Sequence, residues 1–443
     1  MMGGVLGMFN IITPSHNICK TNEMWITKAN HFPVIYNKLM DDLAQIWQKL
    51  DNNSFKISTD TRKELDGTIF FALKGESFDG NTFVEKALKK GAVAVVSQNP
   101  QFKSTPNVYV VDDTLRTLQT LAQKYRETFT IPIIAVGGSN GKTTSRELIR
   151  CVLETNFKVH TTESNLNNEI GVPLSILAMD KDTEIGVFEI GANHAQEHTN
   201  LLEILRPTHV IVTNNGLDHL EGFGSPTKVI EANEEINKWA RKHNASIIAN
   251  VEHGLKVSTP LPLSISLDNK EYQTKMVGNY NLENISRALT VGKVFKINLE
   301  KALTAISAYT PMALRSELLE RNGAQVIVDC YNANPSSMML ALKSFIESCS
   351  KPRGVILGDM LELGPYAEEE HKKILDFVSK QELNIIVLIG EQFRQAQENS
   401  HLNYTWFPNS SSAQKWFRRQ NFTNYTLLLK GSRGIKVEEM LLI

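Results

Sequence analysis

The chain has 443 residues, of which 42% are hydrophobic and 21% are charged, and its formal net charge at pH 7 is −1. This length predicts two to four domains with buried cores, and the near-zero charge argues against a broad electrostatic surface for nucleic acid. The four cysteines lack CxxC or His–Cys spacing and no apolar run reaches the length of a membrane span. We therefore expect a cytoplasmic protein with reduced thiols, without a disulfide framework, a zinc site or a membrane span.

Residues 1–39 give little structural signal apart from the start of a helix predicted at residues 36–50. They lack a basic n-region and a clear cleavage site, so a secretory signal peptide is not expected. Two interpretations of this stretch stay open, a poorly ordered extension and an artefact of the chosen start codon.

Residues 57–97 alternate strands with polar loops and a helix. Strand character at residues 68–73, between Gly67 and Gly75, precedes a predicted helix at 84–90 and a predicted strand at 92–97. Taken alone, the charged residues of these loops are typical of solvated turns.

Residues 131–154 carry the most informative pattern of the chain. A short β-branched apolar run breaks into a glycine-rich turn and then into a segment with apolar residues at helical spacing, which predicts strand, loop and helix. Such a loop leaves backbone N–H groups free for phosphate oxygens, Lys142 can reach the outer phosphates, and Thr143 can place its hydroxyl on Mg²⁺. An ordinary glycine turn is the alternative, and the flanking strand and helix favour a phosphate loop. The candidate residues are Gly138, Ser139, Asn140, Gly141, Lys142, Thr143 and Thr144.

Beyond this helix, apolar strands alternate with polar loops, which predicts a mostly parallel sheet covered by helices. An amide-rich loop at 161–173 can bind carbohydrate, peptide or phosphate through hydrogen bonds. Glu189 follows one buried strand and His219 follows the next. Ligands gather at the carboxyl ends of such strands, and a carboxylate and an imidazole beside phosphates can hold a metal, although Mg²⁺ prefers oxygen. A lone loop histidine is more often an ordinary surface residue.

The last third of the chain again alternates strands, loops and helices. Pro311 and the polar turn before Arg315 indicate a linker, and a strand then leads through an asparagine-rich turn into a helix predicted to be capped at Ser336. Strands are also expected near residues 354–358 and 425–430. This alternation predicts a Rossmann-like α/β unit. We therefore predict an α/β chain with domains at 1–128, 129–312 and 313–443.

As a set, these motifs resemble the MurF family of Mur ligases. The tight loop Gly-Ser-Asn-Gly-Lys-Thr, with Val136 where a strict P-loop has glycine, is similar to the ATP loop of Mur ligases and folylpolyglutamate synthetases. Phe-Phe-Ala-Leu-Lys-Gly and Phe-Asp-Gly resemble the family's first domain, and Glu-Ile-Gly-Ala-Asn-His and Asn-Asn-Gly-Leu-Asp-His-Leu-Glu its central domain. Tyr-Asn-Ala-Asn-Pro, Leu-Gly-Asp-Met-Leu-Glu-Leu-Gly and Lys-Gly-Ser-Arg-Gly extend the resemblance to about residue 438.

The resemblance implies an ATP- and Mg²⁺-dependent ligase that activates UDP-MurNAc-tripeptide as an acyl phosphate and joins it to D-Ala-D-Ala. It implies catalytic roles for Lys142, His219, Arg315, Lys430 and Arg433. The implied metal ligands are Thr143, Glu189 and His219, and the implied ATP contacts outside the loop are Asn284, Arg315 and Asp329. The implied substrate-binding residues are Thr59, Asp60, Thr61, Arg62, Lys74, Gly75, Asp79, Asn165, Asn167, Asn168, Asn332 and Asn334. A monomer without a nucleic-acid partner is expected.

The sequence departs from the family at two informative positions. Asn233 stands where the family has a lysine whose carbamate supports a second metal, and an amide cannot be carbamylated. Tyr280 stands in the place of a family histidine. Two alternatives stay open, a degenerate ligase that acts as a binding protein and a sibling ligase that adds a single amino acid. The third residue of the accepted peptide, lysine or diaminopimelate, is not readable from the sequence.

Overall fold

A computed structural model describes residues 32–75, 78–312 and 314–442. The two interpretations of the N-terminal stretch concern residues 1–39. Residues 1–31 of this stretch lie outside the described residues. None of the described helices is both long and apolar enough to cross a bilayer. Three domains follow one another along the chain, each built on a sheet with parallel strands.

The first domain is a sheet of four parallel strands flanked by helices. Its strands, adjacent in chain order, are β1 Ile57–Ser58, β2 Ile69–Phe71, β3 Ala94–Ser97 and β4 Val108–Val110. Its helices are α1 Phe32–Asn52, α2 Val84–Lys89 and α3 Thr114–Glu127. Asp113 starts α3 because its side chain accepts a hydrogen bond from the Arg116 N–H. The elements predicted at 36–50, 68–73, 84–90 and 92–97 are confirmed as α1, β2, α2 and β3, with different ends.

The central domain carries the predicted parallel sheet, with five strands in the order β6-β7-β5-β8-β9. These strands are β5 Ile133–Gly137, β6 Val159–Thr161, β7 Ile185–Glu189, β8 His209–Val212 and β9 Ser246–Ile247. The helices are α4 Lys142–Leu153, α5 Gly171–Leu177, α6 Glu197–Leu205, α7 Leu220–Phe223, α8 Pro226–Lys242, α9 Asn281–Val294 and α10 Leu299–Ala308. Strands β5 and β7 are buried along their whole length, as expected for a sheet covered on both faces.

A separate antiparallel sheet in this domain was not predicted. It consists of β10 Lys256–Pro260, β11 Leu263–Leu267 and β12 Lys270–Gln273. Asp268 and Asn269 form the two-residue turn between β11 and β12, with φ of 50° and 63°. Aspartate and asparagine tolerate this left-handed conformation, which hairpin turns require, so the Asp-Asn pair was the signal for this hairpin.

The C-terminal domain has a mixed sheet of six strands in the order β13-β14-β18-β15-β16-β17. Its strands are β13 Glu317–Arg321, β14 Ala324–Asp329, β15 Arg353–Gly358, β16 Ile385–Ile389, β17 Thr405–Phe407 and β18 Thr426–Lys430. Its helices are α11 Pro335–Ser348, α12 Ala367–Val378, α13 Glu391–Asn399 and α14 Ser410–Phe417. The Rossmann-like prediction holds for the parallel strands, and β13 pairs antiparallel with β14. The predicted cap of α11 was wrong, because Asn334 and not Ser336 accepts the hydrogen bond from Ser337 N–H.

Candidate active site

A cleft of about 420 Å³ lies between the central and C-terminal domains. It is reached by the loops that follow β5, β7 and β8 on one side and β14, β15 and β18 on the other. Most of the residues singled out from the sequence line it, namely Ser139, Asn140, Gly141, Lys142, Thr143, Thr144, Asn165, Asn167, Asn168, Glu189, His219, Asn284, Arg315, Asp329, Asn332, Asn334 and Lys430. The fold thus brings side chains from positions 139 to 430 to one place.

The glycine-rich loop connects β5 to α4 through a backbone that only glycine adopts easily. Gly138 has φ of 111°, and a Cβ added there would lie 2.4 Å from Thr213 Oγ1. Asn214, which follows the neighbouring strand β8, holds the loop through two hydrogen bonds. Its Oδ1 accepts from Asn140 N–H at 3.0 Å, and its Nδ2 donates to the Asn140 carbonyl at 3.1 Å. The loop is therefore fixed before any ligand arrives, with the N-terminus of α4 at the cleft.

The ammonium of Lys142 lies over its own loop. Its Nζ donates to the carbonyls of Gly138 at 2.6 Å and Ser139 at 3.0 Å, and lies 4.0 Å from Asp218 Oδ2. Asp218 is buried at the cleft wall, and its Oδ1 has no hydrogen-bond partner among the described residues. Asp218 was not singled out from the sequence, although it directly precedes His219.

Thr143 and Glu189 form an oxygen pair that fits Mg²⁺. The Thr143 hydroxyl donates to Glu189 Oε2 at 2.8 Å, and Asn167 Nδ2 donates to Glu189 Oε1 at 2.8 Å. Arg146, also buried, lies 3.5 Å from the same carboxylate. Mg²⁺ takes one or two protein oxygens and completes its shell with phosphate and water, so this donor set suits one ion beside a nucleotide.

His219 contacts a residue of the C-terminal domain and not the Thr143–Glu189 pair. Its Nδ1 lies 2.6 Å from Glu362 Oε2, a residue of the C-terminal domain, and this hydrogen bond lowers the pKa of the Glu362 carboxyl. Over the described part of the chain, no group of three or more His, Cys, Asp and Glu side chains could hold a metal ion. The implied set of Thr143, Glu189 and His219 is thus only partly assembled, and the role of His219 stays a prediction.

Asn233, at the family's carbamylated-lysine position, is buried behind the glycine-rich loop. Its Nδ2 donates to Ser139 Oγ at 3.2 Å and to Asn215 Oδ1 at 3.0 Å. Both acceptors are neutral, and the side chain offers neither a charge nor an amine for a carbamate. The residues here do not fit a carbamate-supported second metal.

The C-terminal wall of the cleft carries its cations in fixed positions. Lys430 Nζ pairs with Asp329 Oδ2 at 2.6 Å, and both residues lie at the carboxyl ends of neighbouring parallel strands. The Arg315 guanidinium stacks on the ring of Tyr331, with Cζ 3.7 Å from the ring centroid. Tyr331 lines the cleft and was not singled out from the sequence.

Tyr280, in the place of the family histidine, joins the two walls. Its hydroxyl lies 2.6 Å from Ser316 Oγ, and burial raises the pKa of this tyrosine. Ser316 N–H in turn donates to Asp329 Oδ1 at 3.2 Å. The central domain is thereby connected to the Asp329–Lys430 pair through hydrogen bonds of Tyr280 and Ser316.

Asn284 lies behind the glycine-rich loop. Its Oδ1 accepts from Ser145 Oγ and from Arg287 at 3.0 Å each, and its Nδ2 donates to Asn281 Oδ1 at 2.8 Å. A Cβ added to Gly141 would lie 2.6 Å from this Oδ1. The side chain therefore supports the loop, and the nucleotide contact implied by the resemblance stays a prediction.

Some predicted residues lie elsewhere. Arg433 is paired with Glu438 at 2.7 Å and does not line the cleft. The candidates of the first domain also lie outside the cleft and form a second group near the carboxyl ends of β1 and β2, namely Thr59, Asp60, Thr61, Arg62, Lys74, Gly75 and Asp79. Within that group, hydrogen bonds from Arg62 lower the pKa of Asp60 to about 2. Asp79 accepts from Asn81 N–H and is used in a turn.

Comparison with known proteins agrees with this arrangement. Family models match three successive parts of the chain: the Mur ligase family catalytic domain at residues 56–126, the Mur ligase middle domain at 136–258, and the Mur ligase glutamate ligase domain at 314–433. The UDP-N-acetylmuramoyl-tripeptide–D-alanyl-D-alanine ligase of Bacillus subtilis (strain 168) is 32% identical over 427 residues, which cover 87% of this chain and 92% of that protein. The Escherichia coli (strain K12) ligase of the same name is 27% identical, with 92% and 97% covered. A crystal structure of MurF from Acinetobacter baumannii matches with a TM-score of 0.77 at 25% identity, covering 87% of this chain and 92% of that one.

The fold and the cleft define a three-domain α/β protein with a P-loop-type nucleotide site. The sequence identity of 32% to the Bacillus subtilis ligase, over most of both chains, then identifies the family within this class. The chain belongs to the MurF family of Mur ligases.

Proposed function

We propose that this protein is an ATP-dependent ligase that joins D-alanyl-D-alanine to UDP-N-acetylmuramoyl-tripeptide and so makes the pentapeptide precursor of peptidoglycan. The observation that carries the proposal is the cleft itself, where Lys142 and the Thr143–Glu189 pair face Arg315 and Lys430. The relatives reported above bear the name of this activity. One wall suits a nucleoside triphosphate, and the other supplies cations for an acid and its phosphate.

The chemistry needs two group transfers. A carboxylate is a poor electrophile, so its oxygen first attacks the γ-phosphorus of ATP, which gives an acyl phosphate and ADP. The amine of D-Ala-D-Ala then attacks the acyl carbon, the new C–N bond forms, phosphate leaves with the C–O bonding pair, and the amine loses a proton. No step needs a covalent enzyme nucleophile, so catalysis rests on positioning and charge neutralisation.

The residues of the cleft divide this work. Lys142 leaves its loop carbonyls and binds the outer phosphates, while the loop N–H groups hold the rest of the triphosphate. Thr143 and Glu189 would hold Mg²⁺, which supplies further neutralisation of phosphate charge. Lys430, kept in place by Asp329, and Arg315, kept in place by Tyr331, face the acyl phosphate from the C-terminal domain.

The remaining assignments follow from the same reaction. The polar group of the first domain holds the UDP end of the precursor, and Asn165, Asn167, Asn168, Asn332 and Asn334 contact the peptide or phosphate. Both walls of the cleft come from one chain, so the working unit is a monomer. The reaction takes place in the cytoplasm, where ATP and nucleotide-linked precursors occur.

The test is phosphate release from ATP by the full-length protein. We expect release only when UDP-MurNAc-tripeptide and D-Ala-D-Ala are both present, and a loss of at least about a thousandfold in Lys142→Ala. Release that needs a single amino acid instead of the dipeptide would identify a sibling ligase. Nucleotide binding without any release would identify a binding protein and overturn the proposal.

A further inference from the structure

The turn after β15 reaches across the cleft and contacts α7 of the central domain. The Glu362 carbonyl accepts from Glu221 N–H at 3.0 Å, and its carboxylate lies 2.6 Å from His219 Nδ1. Gly364 makes this close approach possible, because a Cβ there would lie 3.3 Å from the Glu221 Cα. A backbone hydrogen bond and a short imidazole–carboxylate contact therefore join the same two segments.

His219 and Glu362 share an unusual backbone. Their φ values are 47° and 63°, in the left-handed region that residues other than glycine rarely adopt. Such conformations persist where the surrounding structure holds them, and they concentrate at ligand sites and switches. Two of them face each other here, and both residues line the cleft.

A hydrogen bond at one imidazole nitrogen decides what the other can do. A proton on Nδ1 would lie against the Glu362 carboxylate, which would hold the ring in one orientation and leave Nε2 as the atom available to a ligand. Carboxylates that orient an imidazole in this way act through the imidazole, because they set its tautomer and ring plane. Glu362 supplies this carboxylate from the opposite domain.

We propose that Glu362 is a positioning residue that orients His219 for the phosphate-bound cation, and that it does so only while the C-terminal domain is closed on the central domain. The proposal rests on the proposed function and on the cation role that the family resemblance implies for His219, which directly follows Asp218, whose carboxylate lies 4.0 Å from Lys142 Nζ. Closure of the C-terminal domain would then bring the Glu362 carboxylate to His219 and fix the orientation of its imidazole ring. Glu362 was not among the residues singled out from the sequence.

The experiment compares Glu362→Gln and Glu362→Ala with His219→Asn and the double variant Glu362→Ala/His219→Asn. The rate of phosphate release is measured against Mg²⁺ concentration. We expect Glu362→Ala to raise the Mg²⁺ concentration for half-maximal rate about tenfold to a hundredfold, with a smaller change in kcat, and Glu362→Gln to lie between it and wild type. In the His219→Asn background the same substitution should change the rate less than about twofold, since its target is gone.

The control is Glu369→Gln on the exposed face of α12, where Glu369 pairs with Lys373 at 2.8 Å. It removes a carboxylate from the same domain and should leave the Mg²⁺ curve unchanged. Equal losses from Glu362→Ala in the wild-type and His219→Asn backgrounds would overturn the proposal, because Glu362 would then act independently of the imidazole.

A second measurement does not depend on turnover. Nitrogen-15 NMR of the histidine rings should show Nδ1–H for His219 in wild type with ATP analogue and tripeptide precursor bound, and a tautomer mixture in Glu362→Ala. An unchanged His219 spectrum in that variant would also overturn the proposal. If wild type releases no phosphate at all, the proposed function fails, while the NMR comparison still decides whether Glu362 orients the ring.

Discussion

The two junctions between domains differ in chemistry. At the junction of the first and central domains, one apolar core runs without a break from α1 and α3 to β5, α5 and α6. Arg126 on α3 is buried there, and its guanidinium donates to the carbonyls of Phe129, Leu205 and Arg206 at 2.8, 2.9 and 3.0 Å. Tyr125 adds a bond from its hydroxyl to the Met179 carbonyl.

The junction of the central and C-terminal domains combines an apolar cluster with short polar side chains. Asn334 Nδ2 donates to Asn140 Oδ1 of the glycine-rich loop at 2.9 Å, and Ser336 Oγ accepts from Leu217 N–H at 2.6 Å. One buried apolar cluster also crosses this junction, and the central domain contributes to it Leu220, Phe223, Val229, Ala232 and Val277. Water can replace these hydrogen bonds when the domains separate, so they oppose opening less than exposure of apolar surface does. We infer that the second junction, which borders the cleft, opens and closes around substrates, while the first stays closed.

The largest expected effect is a loss of stability from Arg126→Ala. The substitution removes the buried guanidinium that donates to the carbonyls of Phe129, Leu205 and Arg206, and we expect the free energy of unfolding to fall by about 3 kcal/mol. Because the core is continuous, the first and central domains should still unfold in one transition. Urea unfolding followed by circular dichroism measures both quantities.

Arg116→Ala is the matched control, since Arg116 is an exposed residue of the same helix. It should change the free energy of unfolding by less than about 0.5 kcal/mol. Two separate transitions in Arg126→Ala, one for each domain, would contradict a permanent junction.

Acid should weaken the C-terminal side of the second junction. Buried His371 accepts from Met360 N–H through Nε2 at 3.0 Å and donates from Nδ1 to the Ala367 carbonyl, and burial lowers its pKa from 6.5 to about 4. Between these values the unfolded chain binds a proton that the folded chain does not, so stability falls as pH decreases from 6.5 towards 4. We expect this histidine to lower the free energy of unfolding by about 2 kcal/mol as the pH falls from 6.5 to 5.

The measurement is the free energy of unfolding at pH 6.5 and 5.0 in wild type and His371→Gln. The variant should lose less stability on acidification, because glutamine does not titrate. His160 and His198 also have lowered pKa values, but they contribute equally to both proteins. Equal losses would show that His371 is not the group responsible, for example if Asp359, 3.8 Å away, stabilised its charged form.

The local parts of this architecture were readable from the sequence. The strand, loop and helix around Lys142 were predicted because glycine spacing and helical periodicity are properties of a short segment. Glu189 was placed at the end of a buried strand for the same reason. The contacts between distant segments were not readable, and most of the second junction consists of such contacts.

Three residues show what the sequence alone leaves open. Glu362 looked like part of a loop motif, yet its carboxylate contacts the imidazole of His219, 143 positions earlier in the chain. Asn284 lines the cleft, but its amide bonds side chains on α4 and α9, and its contact with the nucleotide stays a prediction. Arg433 was expected in the cleft and pairs with nearby Glu438. Residue types define a candidate, but only the fold decides where the side chain points.

A smaller effect is expected from Ser336→Ala, which removes one hydrogen bond of the second junction. In the closed state Leu217 N–H loses its acceptor, while in the open state water replaces it. Closure should therefore become less favourable by about 1 kcal/mol, roughly fivefold in population, without loss of global stability. Small-angle scattering with ATP analogue and tripeptide precursor should show less compaction than in wild type.

Ser337→Ala is the control one residue further along α11. Ser337 Oγ accepts from Asn334 N–H within the helix cap and makes no bond across the cleft. This variant should lose some stability and keep full compaction. Compaction that is unchanged in Ser336→Ala, or absent in wild type, would contradict a junction that closes on substrates.

The smallest expected effect is that of bicarbonate on wild-type activity. Removal of dissolved CO₂ and bicarbonate should change the rate of phosphate release less than about twofold. A carbamate forms only on a free amine. Asn233 has none, and the lysines that line the cleft within the described residues, Lys142 and Lys430, have their ammonium groups bound to oxygen acceptors. The initial rate of phosphate release in CO₂-depleted and bicarbonate-containing buffer is the measurement.

Asn233→Lys is the variant that could respond to bicarbonate, because it places an amine behind the loop. We still expect it to be slower than wild type, since it removes the hydrogen bonds to Ser139 and Asn215 that hold the loop against α8. A wild-type rate that rises with bicarbonate would mean that another lysine carries a carbamate. If Asn233→Lys with bicarbonate released phosphate faster than wild type, the missing charge at Asn233 would limit the wild-type rate. The role of Asn233 in positioning the loop would then be contradicted.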